Sequence, residues 1–359
     1  MFETSTTQPP RRRSVGIRVL ILALLALGFG IPLSIVRSIV EERQGLRAEA
    51  LAGIRQSWGG PQTLAGPILR VERSCLTRHG EQPSTRHYTN FWQLPARYDV
   101  QGQVEAEPRR KGIHETVVLL ADLSIAGSFT PADDDFPAGV CDSTRLERVV
   151  VELGLTDGRS LDRIEDLTWN GRRLRWQAGA SRGGPWGSGL HTELPEDLAQ
   201  RAVVEETPFA VKMAVKASDS LRFLPLGDPT RVQLASPWKA PGFTGAYLPG
   251  QHSLTPAGFS ATWDVPLLAR PFANRSRDTP PRELPGSEFG AEWIVPADGY
   301  LRSERALKYG LLFVGATFAC LYFFELFGRR ALHPMHYLLV GAALIVFYLL
   351  LLSLSEQLG

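Results

Sequence analysis

An excess of charge of either sign is the first thing this sequence lacks. Its 39 Lys and Arg residues nearly balance 37 Asp and Glu residues, leaving a formal net charge of +2. No basic surplus is available to neutralise a phosphate backbone, which argues against nucleic acid as a partner. Cysteine is scarce too. Only Cys75, Cys141 and Cys320 occur, with no CxxC pair, which removes the redox and metal readings that such a pair would support. There is no GxxxxGKS/T loop, no GxGxxG after a strand, no HExxH and no GxSxG, and His114-Glu115 lacks a second histidine at helical spacing. The common local signatures of nucleotide binding, zinc proteolysis and serine hydrolysis are therefore missing.

Apolar length is abundant, and it lies at the two ends of the chain. A mean hydropathy of -0.07 averages these ends against a long polar middle. The first run, Val19 to Val36, carries no charge and reaches the roughly 18–20 residues that cross a bilayer as a helix. Arg11, Arg12, Arg13 and Arg18 precede it as they would a signal peptide. The run is longer than an h-region of about 7–15 residues, and no small-x-small cleavage site follows, so it reads as a membrane span. Gly28 and Gly30 predict close approach of another helix, and Pro32 a kink or change of direction. The second run, Tyr309 to Phe327, holds one acid, Glu325, four residues before Arg329. That spacing predicts a helix-end ion pair at headgroup depth. The third run, Tyr337 to Leu354, is charge-free and again long enough to span.

Arginines set the expected orientation, with the first four before helix one and Arg329 and Arg330 between helices two and three. The expectation is a cytoplasmic tail (1–18), a first transmembrane helix (19–36) and an extracytoplasmic domain (37–307), which is periplasmic if the membrane is a bacterial inner membrane. A second helix (308–327), a cytoplasmic turn (328–336), a third helix (337–354) and a short end (355–359) follow. An odd number of helices places the C-terminus outside. The fold class is then a multi-pass α-helical membrane protein with a large β-rich, sandwich-like α+β extracytoplasmic domain.

Within that domain, Ile39, Leu46, Ala50, Ile54 and Trp58 recur at helical spacing and predict a helical stalk over 37–58, ended by Gly59-Gly60-Pro61. From 62 to 300 the pattern is β-rich. Strands are predicted at Val117–Phe129, Val149–Leu155, Phe209–Val215, Leu221–Leu224, Val232–Leu234, Phe259–Trp263 and Ala291–Val295. Asn170-Gly171, between Leu167–Trp169 and Leu174–Trp176, is a hairpin signal, because both turn residues tolerate positive φ. Thr156-Asp157-Gly158 and Asp133-Asp134-Asp135 read as turns. In an oxidising compartment Cys75 and Cys141 either form one disulfide or sit as two small unpaired buried residues.

No catalytic, cofactor-binding or metal-ligating residue is assigned. His79, His87, His114, His191 and His252 show no ligand spacing, and His333 and His336 in the cytoplasmic turn offer too few ligands for a metal. The glycine-rich stretch Gly183–Gly189 reads as a flexible loop. No cofactor is expected, membrane lipid is the expected surrounding, and lateral association into an oligomer is left open.

The C-terminal residues carry a distinctive pattern: Tyr322-Phe323-Phe324-Glu325, then Leu332 through Gly341 (LHPMHYLLVG), then Phe347 through Glu356 (FYLLLLSLSE). With Ile39–Arg43, Gly60-Pro61, Gly66-Pro67, Arg109–Ile113, Pro237-Trp238, Phe243, Leu248-Pro249 and Gly258–Trp263, the chain from residue 18 onward resembles the CreD family of bacterial inner-membrane proteins. The resemblance implies a role in cell-envelope integrity, within a regulon run by a two-component system responsive to carbon source and envelope stress. It also implies further transmembrane helices after the Ser-Leu-Ser-Glu motif, and no enzymatic activity or site residues. A non-enzymatic envelope protein whose domain contacts a protein, lipid or wall component is the leading expectation, with the strand face of Phe259 and Trp263 as the place to seek that partner. The alternatives are a membrane-anchored periplasmic hydrolase with dispersed catalytic residues, or a sensor that signals through a separate protein.

Overall fold

The computed structural model describes residues 15–77, 85–112, 114–132, 141–179, 188–295, 306–328 and 332–358. Arg11–Arg13, His79, Ile113, the Asp133–Asp135 turn, residues 183–187 of the glycine-rich stretch, Arg329, Arg330 and Gly359 lie outside them. The chain divides into two compact units, one of Met1–Glu49 with Pro296–Gly359 and one of Ala50–Val295.

The first unit is helical. Its elements are α1 (Val15–Gly28), α2 (Gly30–Trp58, which runs on into the second unit), α4 (Gly310–Gly328) and α5 (Pro334–Leu358). The single-residue interruption between α1 and α2 follows from Pro32. Proline has no N–H to give the Gly28 carbonyl, while the Phe29 and Leu33 amides still bond to Leu25 and Phe29 at 3.2 Å each. Three helical stretches, Gly16–Trp58, Gly310–Gly328 and Pro334–Leu351, are long and apolar enough to cross a membrane. Leu33, Val36, Val314, Phe318, Tyr337, Ile345 and Tyr348 form the packed interior, whereas Leu20, Leu24, Leu27, Leu312 and Phe347 are exposed, as a lipid-facing surface requires. The close approaches are not at the expected glycines. Gly28 and Gly30 face open space, while Gly341 takes the Phe29 ring and Gly310 takes Leu33 and Tyr348. Position along the helix does not reveal which face meets a neighbour.

The second unit holds eighteen described strands in two mixed sheets. The first sheet runs β14 (Pro241–Gly245), β18 (Phe289–Trp293), β12 (Ser220–Phe223), β1 (Gln62–Thr77), β5 (Ser143–Leu155), β10 (Ser188–Glu193) and β9 (Gln177–Ala178). In it β2 (Thr85–Gln93) also pairs with β1, and β17 (Arg275–Arg277) with β2. The second runs β15 (Gln251–Thr255), β16 (Gly258–Val265), β13 (Thr230–Ser236), β3 (Arg97–Lys111), β4 (His114–Phe129), β11 (Thr207–Ser218), β7 (Leu167–Trp169) and β8 (Arg172–Leu174). Here β6 (Leu161–Ile164) also joins β11. Two pairings are parallel, β1 with β12 and β3 with β13. A short helix, α3 (Glu196–Ala202), buries Leu198, Ala199 and Ala202.

Alternation builds the second sheet. On β11, Phe209, Val211, Met213 and Val215 point inward, while Ala210 and Lys212 point out, the period of two that half-buried strands impose. Both sheets contribute to one apolar core. Each predicted strand is present, several longer than expected. The Asn170-Gly171 turn has both residues at positive φ, 47° and 78°, and it pairs Leu167 with Leu174, so the second strand of the hairpin is Arg172–Leu174. From Ala50 onward the helix belongs to the β-rich unit: the Trp58 indole donates to the Leu119 carbonyl at 3.1 Å and Arg55 pairs with Asp219 at 2.8 Å.

Cys75 and Cys141 are joined, with Cα atoms 5.4 Å apart and 66 residues of separation, while Cys320 is free. A loop of that length is worth about 4 kcal/mol in the chain-entropy model. A thiol-reactive maleimide on the denatured, unreduced chain should add one label, at Cys320, and three after reduction; three labels without reductant would rule the bridge out.

Candidate functional site

Glu325 is the one acid in the second apolar run, and its side chain is 8% exposed. A carboxylate buried beside lipid requires neutralisation and hydrogen bonding. Its partner is Arg18 at the start of α1, whose Nη1 donates to Oε1 at 2.7 Å. The other oxygen, Oε2, accepts from the Tyr337 hydroxyl at 3.1 Å. Both carboxylate oxygens are thus engaged, by two different helices. The meeting points are the start of α1, the end of α4 and the start of α5, so each successive pair of these segments runs antiparallel. Phe318 packs edge-on against Tyr337 at 5.5 Å and against Phe29 at 5.9 Å, closing the apolar side of the cluster.

A cavity of about 270 Å³ opens on this node, lined by Arg18, Ile21, Leu22, Glu325, Leu332 and Tyr337 among others. The expected partner of Glu325, Arg329, lies outside the described residues. The long-range pair was readable in one respect: Arg18 immediately precedes one apolar run and Glu325 falls two residues before the end of the next, so antiparallel helices bring them to one depth. Tyr337 carries no such signal. His333 and His336 make local contacts at the start of α5: the Met335 amide donates to His333 Nδ1 at 3.3 Å, and His336 Nδ1 lies 3.1 Å from the His333 carbonyl.

The β-rich unit has a second buried pair. Arg70 on β1 donates from Nε to Glu152 on β5 at 2.9 Å and from Nη1 to Asn90 on β2 at 3.1 Å. The two charged side chains are 4% and 1% exposed. Burial pushes the Glu152 carboxyl up from its ordinary value, against the hydrogen bond and charge of Arg70 and the charge of His191. Arg70 also lies over the Trp92 ring at 5.9 Å. These groups tie β1, β2 and β5 together.

The motif residues Trp238, Phe243 and Gly258–Trp263 converge on an aromatic cluster. Phe243 contacts Phe259 at 6.1 Å and Trp263 at 5.7 Å, and Trp263 contacts Phe289 at 6.0 Å. Indole N–H groups of Trp263, Trp293 and Trp238 reach the Tyr247 carbonyl, Ser236 Oγ and the Ile294 carbonyl at 3.0–3.2 Å. Gly258 has φ +137°, and a Cβ there would collide with the Ser236 carbonyl oxygen, so only glycine fits. Phe259 and Trp263 are 4% and 0% exposed. The expectation that their face meets a partner is therefore wrong; apolar residues on alternate positions mark the core side of β16, not its outer side.

The remaining described histidines are dispersed: His191 bonds the Gly179 carbonyl at 2.7 Å and the His252 ring sits 5.5 Å from Phe243. Among the described residues no group of three or more His, Cys, Asp or Glu side chains is placed to hold a metal.

Replacing Arg18 with Met leaves Glu325 without its cation, so the R18M chain in detergent should melt at a lower temperature than wild type. The double variant R18M/E325Q should recover part of that loss, with a coupling of about 1–2 kcal/mol. Additive losses in this double-mutant cycle would show that the pair contributes nothing.

A family model described as "Inner membrane protein CreD" matches residues 14–359. The Escherichia coli K12 protein named Inner membrane protein CreD is 30% identical over 337 residues, which are 92% of this chain and 73% of that protein. Among solved structures, a Deinococcus radiodurans M1 zinc metallopeptidase crystallised with a Tyr-Ser-Ala substrate aligns over 48% of this chain and 38% of its own. The identity there is 15% and the TM-score 0.23, a likeness too slight to carry any argument.

Proposed function

The chain belongs to the CreD family of inner membrane proteins, and from that premise we propose a non-enzymatic role in maintaining the bacterial cell envelope. The family match over residues 14–359 carries this reading, since it spans both the apolar helices and the β-rich unit. In it, the helices anchor the chain and the β-rich unit is a binding module for a protein, lipid or wall component.

The proposed orientation puts residues 1–18 and 328–336 in the cytoplasm and residues 37–307 in the periplasm. The arginines ahead of the first span support it, as does the Cys75–Cys141 disulfide, because cytosolic thiols are held reduced. Antiparallel packing of the helix segments around Glu325 agrees with Arg18 and the turn before α5 lying on one side. In a Cys320→Ser background, Thr255→Cys should react with an impermeant maleimide in intact spheroplasts, and Met335→Cys only after permeabilisation. The reverse pattern would invert the topology.

For the role itself, removing the gene should alter susceptibility to β-lactams and envelope-targeting toxins, and supplying the intact chain should restore it. Unchanged susceptibility across such agents would count against an envelope function.

A further inference from the structure

The cavity of about 270 Å³ beside Glu325 brings a buried acid and an approachable base to one concavity between three helices. Arg18 directly precedes the apolar run Val19–Val36, Glu325 comes two residues before the end of Tyr309–Phe327, and Tyr337 opens the third run. All three are ends of spans, so the cavity lies at the depth of lipid headgroups. Its walls are of two kinds. Ile21, Leu22, Leu332 and Pro334 are apolar, whereas Arg18, Glu325, Tyr322 and Tyr337 bring polar groups.

These polar groups do not exhaust one another. A guanidinium offers several N–H donors, and Arg18 spends one, on Glu325 Oε1 at 2.7 Å. Among the described residues its other donors have no partner. The Arg18 side chain is 39% exposed and that of Glu325 8%, so the base is open to a ligand and the acid lies deeper. A carboxylate can accept about four hydrogen bonds, and Glu325 accepts two, from Arg18 and Tyr337. The half-buried Tyr322 hydroxyl has no hydrogen-bond partner among the described residues. Next to the hydrocarbon, bulk water is scarce, and spare donors and acceptors are completed by what the bilayer supplies.

The bilayer supplies phosphate in every phospholipid and ammonium in some. A phosphate diester matches the unused donors of Arg18. Alone it would also face the Glu325 carboxylate, and two anions in one low-dielectric pocket repel each other. A primary ammonium on the same headgroup removes that conflict, because it donates to the acceptor positions Glu325 has left. The trimethylammonium of choline has no N–H and cannot. Among the described residues Arg18 and Glu325 are the charged groups lining the cavity, and a headgroup with one charge of each sign matches them in number. The volume agrees. It falls just below the roughly 300–1,000 Å³ of drug-sized pockets, enough for a headgroup, and the acyl chains run along lipid-facing side chains such as Leu20 and Leu24, which are exposed.

We propose that the cavity between Arg18 and Glu325 is a binding site for one phosphatidylethanolamine molecule, with its phosphate on Arg18 and Tyr322 and its ammonium on Glu325. The site belongs to the helices. It therefore goes beyond the envelope role and stands whatever the β-rich unit contacts.

The test is native mass spectrometry of the full chain in mild detergent, titrated separately with dioleoyl phosphatidylethanolamine, phosphatidylglycerol and phosphatidylcholine. One saturating phosphatidylethanolamine adduct is expected, about tenfold or more tighter than either other lipid, the effect of one charge-assisted hydrogen bond. Tyr322→Phe removes a hydroxyl that bonds nothing else described in the protein, so its melting temperature should match wild type while the adduct weakens roughly three- to tenfold. R18M/E325Q should bind the three lipids alike. O-phosphoethanolamine, the headgroup without its chains, should fail to displace the lipid at equal concentration. No saturating adduct, equal affinity for the three lipids, tighter phosphatidylglycerol, undiminished binding by Tyr322→Phe, or a wild-type preference in R18M/E325Q would each overturn the proposal. Displacement by O-phosphoethanolamine would overturn it too, since the site would then serve a soluble solute.

Discussion

Arg70 and Glu152 impose the tightest constraint on the β-rich unit. An ion pair taken out of water gains little net stability, but losing one partner costs about 3–5 kcal/mol, because the other is left buried and unpaired. The consequence is registry. Arg70 reaches Glu152 on β5 and Asn90 on β2 together, so β1 is held against both neighbours at one alignment. A slip of one residue would turn Arg70 to the opposite face and strand both carboxylate and guanidinium. Because β1 also pairs with β12, and β12 with β18, the alignment propagates through most of the first sheet.

The helical unit repeats this logic in a different solvent. There too an Arg–Glu pair is completed by a third polar side chain, with the hub reversed: the Arg70 guanidinium joins three strands through Glu152 and Asn90, whereas the Glu325 carboxylate joins three helices through Arg18 and Tyr337. Lipid tails are as apolar as leucine, so hydrophobic burial alone gives the helices no preferred partner. Close packing at Gly310 and Gly341 and the Glu325 node supply what burial cannot. Arg18 and Tyr337 come from helices other than α4, so the carboxylate is neutralised and joins helices at once.

What could be read in the sequence divides along physical lines. Strands β4, β11 and β16 were legible because one face is dry and the other wet, so their residues alternate. The β7–β8 turn was legible because Asn170 and Gly171 supply positive φ at low cost. Strand β1 was not legible: both of its faces are covered over Ile68–Val71, which erases alternation, and Arg70 and Arg73 within it look like surface residues until their partners 82 and 59 positions away are known. Strand β3 was obscured by its charges, although Tyr98, Val100 and Val104 occupy every second position of a face. The two parallel pairings join segments more than a hundred residues apart, a distance at which a single sequence carries no register signal.

Several of the residues that carry the family resemblance within the β-rich unit are committed to holding structure. Phe243, Phe259 and Trp263 are spent on the aromatic cluster, the Trp238 indole on the Ile294 carbonyl, Gly258 on a backbone position closed to any side chain, and the Gly66 carbonyl on the buried Tyr98 hydroxyl at 2.8 Å. The pleat they help to hold sends Val100 and Val232 into the core and Gln101 and Gln233 out together.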